Sequence, residues 1–418
     1  DRPFYYWDLR VDPKNENTLY NVYGIVKVSI DGGKTFETLA GGDKVHVDHH
    51  MFYVLPTDAS LMLDGNDGGA YISRDRGKTW RFVENLPVGQ FYHVNVDMAT
   101  PYNVMGGMQD NGSWRGPSQS LHNGGIRNGY WDEIAFGDGF DVVPVPGDLR
   151  YGYGMSQGGF LSYLDFETGF SQFIKPNHPD NVFLRFNWNA GIAQDPFDPN
   201  TIYYGSQFIH KSSDRGQNWS LISGDLTTND PEKTKLETGG LTFDATGAEN
   251  HCTILAIAPS PLDKNIIWAG TDDGNVQLTR DGGKTWTNLS ANIKGLPKGA
   301  WIPQINASTY NAGEAFVVVN DYRRGNWAPM LYQTKDFGKT WVNLVSEQKV
   351  YGYVLSMVQD PIEPKLMFTG TEFGLYVSID AGQTWTKWTN DYPTVSTYDL
   401  KIHPREHDLV IGTFGRAL

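Results

Sequence analysis

At 418 residues the chain exceeds the roughly 250–300 that one hydrophobic core sustains, so it holds several domains or a repeat architecture. Its 48 Asp and Glu outweigh 34 Lys and Arg, and the formal charge of −14 excludes a protein that holds nucleic acid by its phosphates. No apolar run reaches the length of about eighteen residues that a transmembrane helix needs, and a single cysteine, Cys252, excludes an internal disulfide and a cysteine-based zinc site.

Taken in chain order, the sequence repeats one motif: Ser/Thr-x-Asp-x-Gly-x-Thr/Asn followed by Trp or Phe. It stands at Ser29–Phe36, Ser73–Trp80, Ser212–Trp219, Thr279–Trp286, Thr334–Trp341 and Ser378–Trp385. The motif aspartates are 44, 139, 67, 55 and 44 residues apart. The long gap is close to three units of about 46, so two degenerate repeats are expected within it. Phe91–Trp114 and Phe140–Thr168 carry the matching strand pairs. The motif reads as a hairpin turn, in which Ser and Asp bond back to turn amides and Gly takes φ > 0. Its aspartates therefore hold turns rather than do chemistry. Four strands per unit make the blade of a β-propeller, and no amphipathic helix is expected; the polar Thr227–Leu236 segment reads as a loop. In the strand-like TILAIAPSP run, Cys252 reads as a small buried residue.

These repeats resemble the Asp-box, or BNR, repeats of sialidases, of the sortilin (Vps10) family and of tandem-propeller xyloglucanases. The run HVDHH, GNDGGAYIS, GGMQDNGSW, GDGF and IGTFGRAL resembles large bacterial BNR-repeat proteins described as glycosyl hydrolase or sortilin-like. The resemblance implies an all-β propeller in a secreted, periplasmic or cell-surface protein. Members of that family extend further at both ends. The expectation is accordingly a terminal blade of a neighbouring propeller at 1–40, a seven-bladed ring at 41–390 and strands returning to the neighbour at 391–418. The rival is one larger ring of about ten blades, as in sortilin. A sialidase is not expected, since Arg115, Arg127, Arg185, Arg323 and Arg324 form no arginine triad pattern.

Three groups of residues are candidates for chemistry. On a strand, His46, Asp48 and His50 would share one face and would hold a divalent metal such as Zn²⁺, Fe²⁺ or Mn²⁺; the alternative is a polar strand entry facing the channel. No other cofactor is expected. Asp67, in the Gly-rich turn GNDGGAY, resembles the catalytic aspartate of the xyloglucanases, whose Asp-x-Gly-Gly-Ala-Tyr context is one residue longer. Its expected partners are Asp110 and Asp138, because glycoside hydrolysis needs two carboxyl groups across a sugar. Equivalent turns place Gln109, Gln157, Asp273 and Glu372 at the same mouth as ligand-binding groups, together with Trp114, Asp141 and Trp188. The 24-residue insertion Arg115–Asp138 is expected to line the binding face. Aromatic residues outside the motifs (Trp114, Tyr130, Trp131, Phe186, Trp188, Trp301, Tyr322 and Trp327) would serve sugar faces or blade packing.

Two function classes follow. One is a glycan-active propeller, a glycoside hydrolase or a lyase using carboxylates at the channel mouth. The other is a binding or structural propeller that holds a peptide, or other chains of a surface assembly, without catalysis.

Overall fold

The computed structural model describes residues 8–235 and 250–418. It is all-β: among the described residues there are eight four-stranded antiparallel sheets and one two-stranded sheet, and the only helical segments are four three-residue 3₁₀ turns. In each four-stranded sheet the strands lie in chain order, as propeller blades require. We number the blades 1 (8–40), 2 (49–82), 3 (91–135), 4 (139–173), 5 (192–221), 6 (254–288), 7 (301–343) and 8 (354–387); the two-stranded hairpin is 396–414. Blades 3 and 4 are the two degenerate repeats. Residues 227–235 form no strand or helix, and Leu236 lies outside the described residues. No helix among the described residues is long and apolar enough to cross a membrane.

The motif turns form as their chemistry dictates. In the first, Ser29 Oγ donates to Asp31 Oδ1 at 2.8 Å, the Thr35 amide donates to the same oxygen at 2.9 Å, and Thr35 Oγ1 donates to Oδ2 at 2.7 Å. Gly33, at φ 88°, turns its amide onto Ser29 Oγ. The same bonds recur around Asp75, Asp214, Asp281, Asp336 and Asp380. Three of the closing tryptophans then reach back to the blade before: Trp219 Nε1 donates to Ile174 O, Trp286 to Ile222 O and Trp385 to Leu344 O.

Middle strands are covered on both faces by flanking blades, so they read as unbroken apolar runs rather than alternating ones. Ile267–Thr271 is buried at every position. Its Trp268 packs with Ile302, Val317 and Tyr332 of blade 7. Phe140 and Tyr153 of blade 4 meet Phe186 and Tyr204 in the next such cluster. Close approach there depends on glycine: a Cβ on Gly107 would meet Gly139 C and Phe140 N at 2.2 Å. Cys252 is buried, as expected, but it precedes the strand Ile254–Pro259 and has φ 58°.

The chain divides into two compact units, Asp1–Pro87 and Val88–Leu418. This differs from the boundaries expected at 40/41 and 390/391. In the first unit, blades 1 and 2 share one core built on Tyr20, Phe52 and Met62. In the second, the hairpin strand Ser396–Ile402 packs on the inner strand of blade 8 (Val354–Gln359) and on that of blade 3 (Phe91–Val96). The inner strands of residues 88–418 thus contact one another in a closed cycle of seven positions, the seventh being the two-stranded hairpin. Packing at both of its flanks, rather than a motif, assigns the hairpin to this ring.

Candidate functional site

In the first unit the HVDHH segment does not make the expected strand. Asp48 has φ 64°, and the strand begins only at His49 (His49–Val54), so the alternation that would put His46, Asp48 and His50 on one face is broken. The three do not gather as a metal-binding group. His46 instead has Nδ1 2.9 Å from Val47 O, and its carbonyl accepts from Asn66 Nδ2. The buried histidine is His49, whose Nδ1 lies 2.8 Å from Asp64 Oδ1 with both side chains fully enclosed.

Asp67 occupies the turn between Met62–Asn66 and Gly69–Ser73. Asn66 Oδ1 accepts from the Gly68 amide, and Gly69 takes φ 132°. Any side chain at position 68 would overlap the His46 ring, its Cβ lying 2.4 Å from that of His46. The Asp67 amide donates to Asp48 O, while its carboxylate meets His50 Nε2 at 3.1 Å. The Asp67 side chain is 27 % exposed.

In the second unit, turns between second and third strands open on the same end of the ring as the segments leading into inner strands. Several expected residues meet there. Asp138 is buried, and its Oδ1 accepts from the Asp110 amide at 2.9 Å; the Asp138 amide donates to Gln157 Oε1 at 3.0 Å. Gln109 Oε1 accepts from Tyr92 Oη. Burial, then the charges of Asp138 and Asp110, raise the Tyr92 phenol, against a lowering contribution from Trp188. Burial likewise raises Tyr398, reinforced by Tyr322, Tyr92 and Tyr353 and opposed by Arg323, so these groups share one electrostatic neighbourhood. Burial also raises the Glu372 carboxyl.

Other expected ligand groups have structural places. Asp273 is buried and accepts from the Thr228 amide at 2.6 Å, from Thr228 Oγ1 at 2.7 Å and from Thr271 Oγ1. Trp114 donates to Asn111 O, within its own turn. Asp141 sits in the channel rather than at its mouth, bonded by Asn95 Nδ2 at 2.6 Å. The insertion runs mainly between strands Ser113–Pro117 and Asp132–Ala135 of blade 3, the third and fourth strands. It therefore emerges at the end opposite the Gln109–Asp110 turn; only Asp138, past the fourth strand, returns to the mouth.

Two further features emerge from the structure. A channel cavity of about 210 Å³ is lined by His93, Asn95, Asp141, Asp399 and Lys401 among others. Beside the mouth, Asp272 is fully buried against Thr253 and Asn187, and burial pushes its carboxyl up to about 7 against the lowering bonds from Thr253. The channel shows in no pattern, because inner-strand residues from blades far apart in sequence converge only once the ring closes.

Comparison with known proteins fits the repeat reading. The BNR/Asp-box repeat family matches residues 71–82. The chain is 21 % identical to an oligoxyloglucan-reducing end-specific xyloglucanase of Emericella nidulans, over 99 % of this chain and 60 % of that protein. It thus spans about three-fifths of that relative's length. Among solved structures it is similar to a GH74 enzyme of Niastella koreensis, with 14 % identity, a TM-score of 0.31, and coverage of 98 % of this chain and 76 % of that one.

Proposed function

We propose that this Asp-box repeat protein acts on glycans as a carboxylate-based glycoside hydrolase, outside the cytoplasm in a secreted, periplasmic or surface-attached state. The observation that carries the reading is Asp67. It is a carboxylate on a Gly-Gly turn, in contact with His50 and more than a quarter exposed. The alignment with a xyloglucanase over nearly the whole chain supports the same class. In this reading Asp67 serves as base or nucleophile. A protonated carboxyl group gives its proton to the glycosidic oxygen as the bond to the anomeric carbon breaks.

The test is turnover of xyloglucan oligosaccharides by wild type and by Asp67→Asn. The expected outcome is a loss of roughly 10²–10⁴ in kcat with binding retained. Equal rates would reduce Asp67 to a turn residue. A second reading, a binding propeller without catalysis, has one observation behind it: the Asp138 carboxylate caps the Asp110 amide, a role that demands no reaction. Binding of oligosaccharide without turnover by wild type would select that reading.

A further inference from the structure

We propose that the end of the ring in residues 88–418 where Trp301, Tyr322 and Arg323 meet binds a uronic acid unit of an acidic glycan, with Arg323 reading its carboxylate. This rests on the glycan-active reading and names a substrate class for it.

The Arg323 guanidinium lies 3.5 Å from the Trp301 ring centroid and 4.5 Å from that of Tyr322. It is exposed and, among the described residues, enters no ion pair. Stacking on two rings fixes the plane of the guanidinium while leaving its N–H edge to an in-plane acceptor, and a carboxylate fits that edge with two parallel hydrogen bonds. A neighbouring arginine shows the contrast. Arg324 is engaged by Asp321 Oδ1 at 2.6 Å and by Lys298 O at 2.7 Å. A Cβ at Gly299, itself at φ +73°, would lie 3.5 Å from Arg324 Nη1 and 3.8 Å from Lys233 Nζ. Lys233 also enters no ion pair among the described residues. On a chain of formal charge −14, Arg324 and Lys233 thus bring two cations to one glycine.

The aromatic surface decides for a sugar over a small anion. Tyr322 stacks on Tyr353 with centroids 4.4 Å apart, and Trp327, 56 % exposed, continues the surface. A pyranose ring offers a flat C–H face to such a plane and, as a uronate, a carboxylate at its rim. A neutral sugar would leave the guanidinium edge unmatched.

Titration calorimetry with tetragalacturonate, its methyl ester, a xyloglucan heptasaccharide and tetraglutamate tests this. Wild type is expected to bind tetragalacturonate at least about tenfold more tightly than the ester. In Arg323→Gln that preference should vanish, and Arg323→Lys should restore only part of it; Trp301→Ala should weaken every sugar. Unchanged thermal midpoints for the exposed Arg323 variants would show that the fold is intact. If acid and ester bind alike while xyloglucan binds, the uronate assignment falls and the glycan reading stands. Binding to none of the sugars overturns both. Tetraglutamate bound as tightly as tetragalacturonate also overturns the assignment and points to an acidic peptide.

Discussion

Asp399, on the closing hairpin, accepts from the Val94 amide of blade 3 at 3.0 Å and lies 3.3 Å from His93 Nδ1. One carboxylate thus joins two strands that are 305 residues apart in the chain and adjacent in the ring. Asn189 Nδ2 completes the imidazole's contacts at 2.6 Å from Nε2. The closure is polar at its centre and is reinforced outside by His403 Nε2 on Asp97 O and by Tyr102 Oη donating to Asp408.

Removing this carboxylate should loosen the ring. Burial disfavours a charged His93, but its hydrogen bond with Asp399 and the charges of Asp399 and Asp141 outweigh burial, and its pKa is raised. Charged Lys401 opposes this from the same wall. A raised pKa stabilises the fold fully below the unfolded value of about 6.5 and less as pH rises through the folded value. Asp399→Ala should cost about 1–3 kcal/mol by leaving the Val94 amide unpaired, and should flatten the decline in stability above about pH 6.5. Denaturant unfolding across that range measures both.

The Asp-box carboxylates should govern the acid limb. Hydrogen bonds from Thr35, Thr79, Thr285 and Thr384, led by the hydroxyls, lower Asp31, Asp75, Asp281 and Asp380 to about 2. A depressed pKa contributes stability above the unfolded value, near 4, that is lost as pH falls toward about 2. Asp281→Asn with Asp380→Asn should lower the thermal midpoint at neutral pH, and the difference should shrink as pH falls from about 4 through about 2, as the wild-type groups become protonated too. A constant difference at all pH values would mean that the charge is not what stabilises these turns.

Asp272 should behave in the opposite sense. Its carboxyl is pushed up to about 7 by burial, so the folded state holds a proton that the unfolded chain has released. That contribution is complete below the unfolded value of about 4 and is lost as pH rises toward about 7. Asn has nearly the same shape and stays neutral. Asp272→Asn should therefore match wild type near pH 4 and exceed it in thermal midpoint above pH 7, by calorimetry; a lower midpoint throughout would show that Thr253 requires the carboxylate.

The parts of this architecture that were legible in the sequence are the local ones. A motif such as Ser73–Trp80 folds from its own hydroxyl, carboxylate and glycine, so six turns and the spacing between them could be read directly, and the two degenerate blades followed from the gap at 139 residues. His46, Asp48 and His50 were misjudged because alternation assumes extended backbone, and one positive φ at Asp48 cancels it. The place of the hairpin 396–414 is not legible for a different reason: a strand pair without a motif is assigned only by what packs on its two faces. The insertion's end of the ring depended on which strands it joins, and the pairing of Trp114 with Glu133 was not visible in the pattern.

The tryptophans that close the motifs also supply the protein with its own gauges. Trp219, Trp286 and Trp385 each place an indole N–H against a carbonyl of the preceding blade. Trp80 and Trp341 donate within their own motifs. Solvent exchange of the first three indole protons reports separately on three junctions, between blades 4 and 5, 5 and 6, and 7 and 8. Exchange of the other two reports on a single turn, giving an internal reference against which parting of the blades can be told from fraying of the loops.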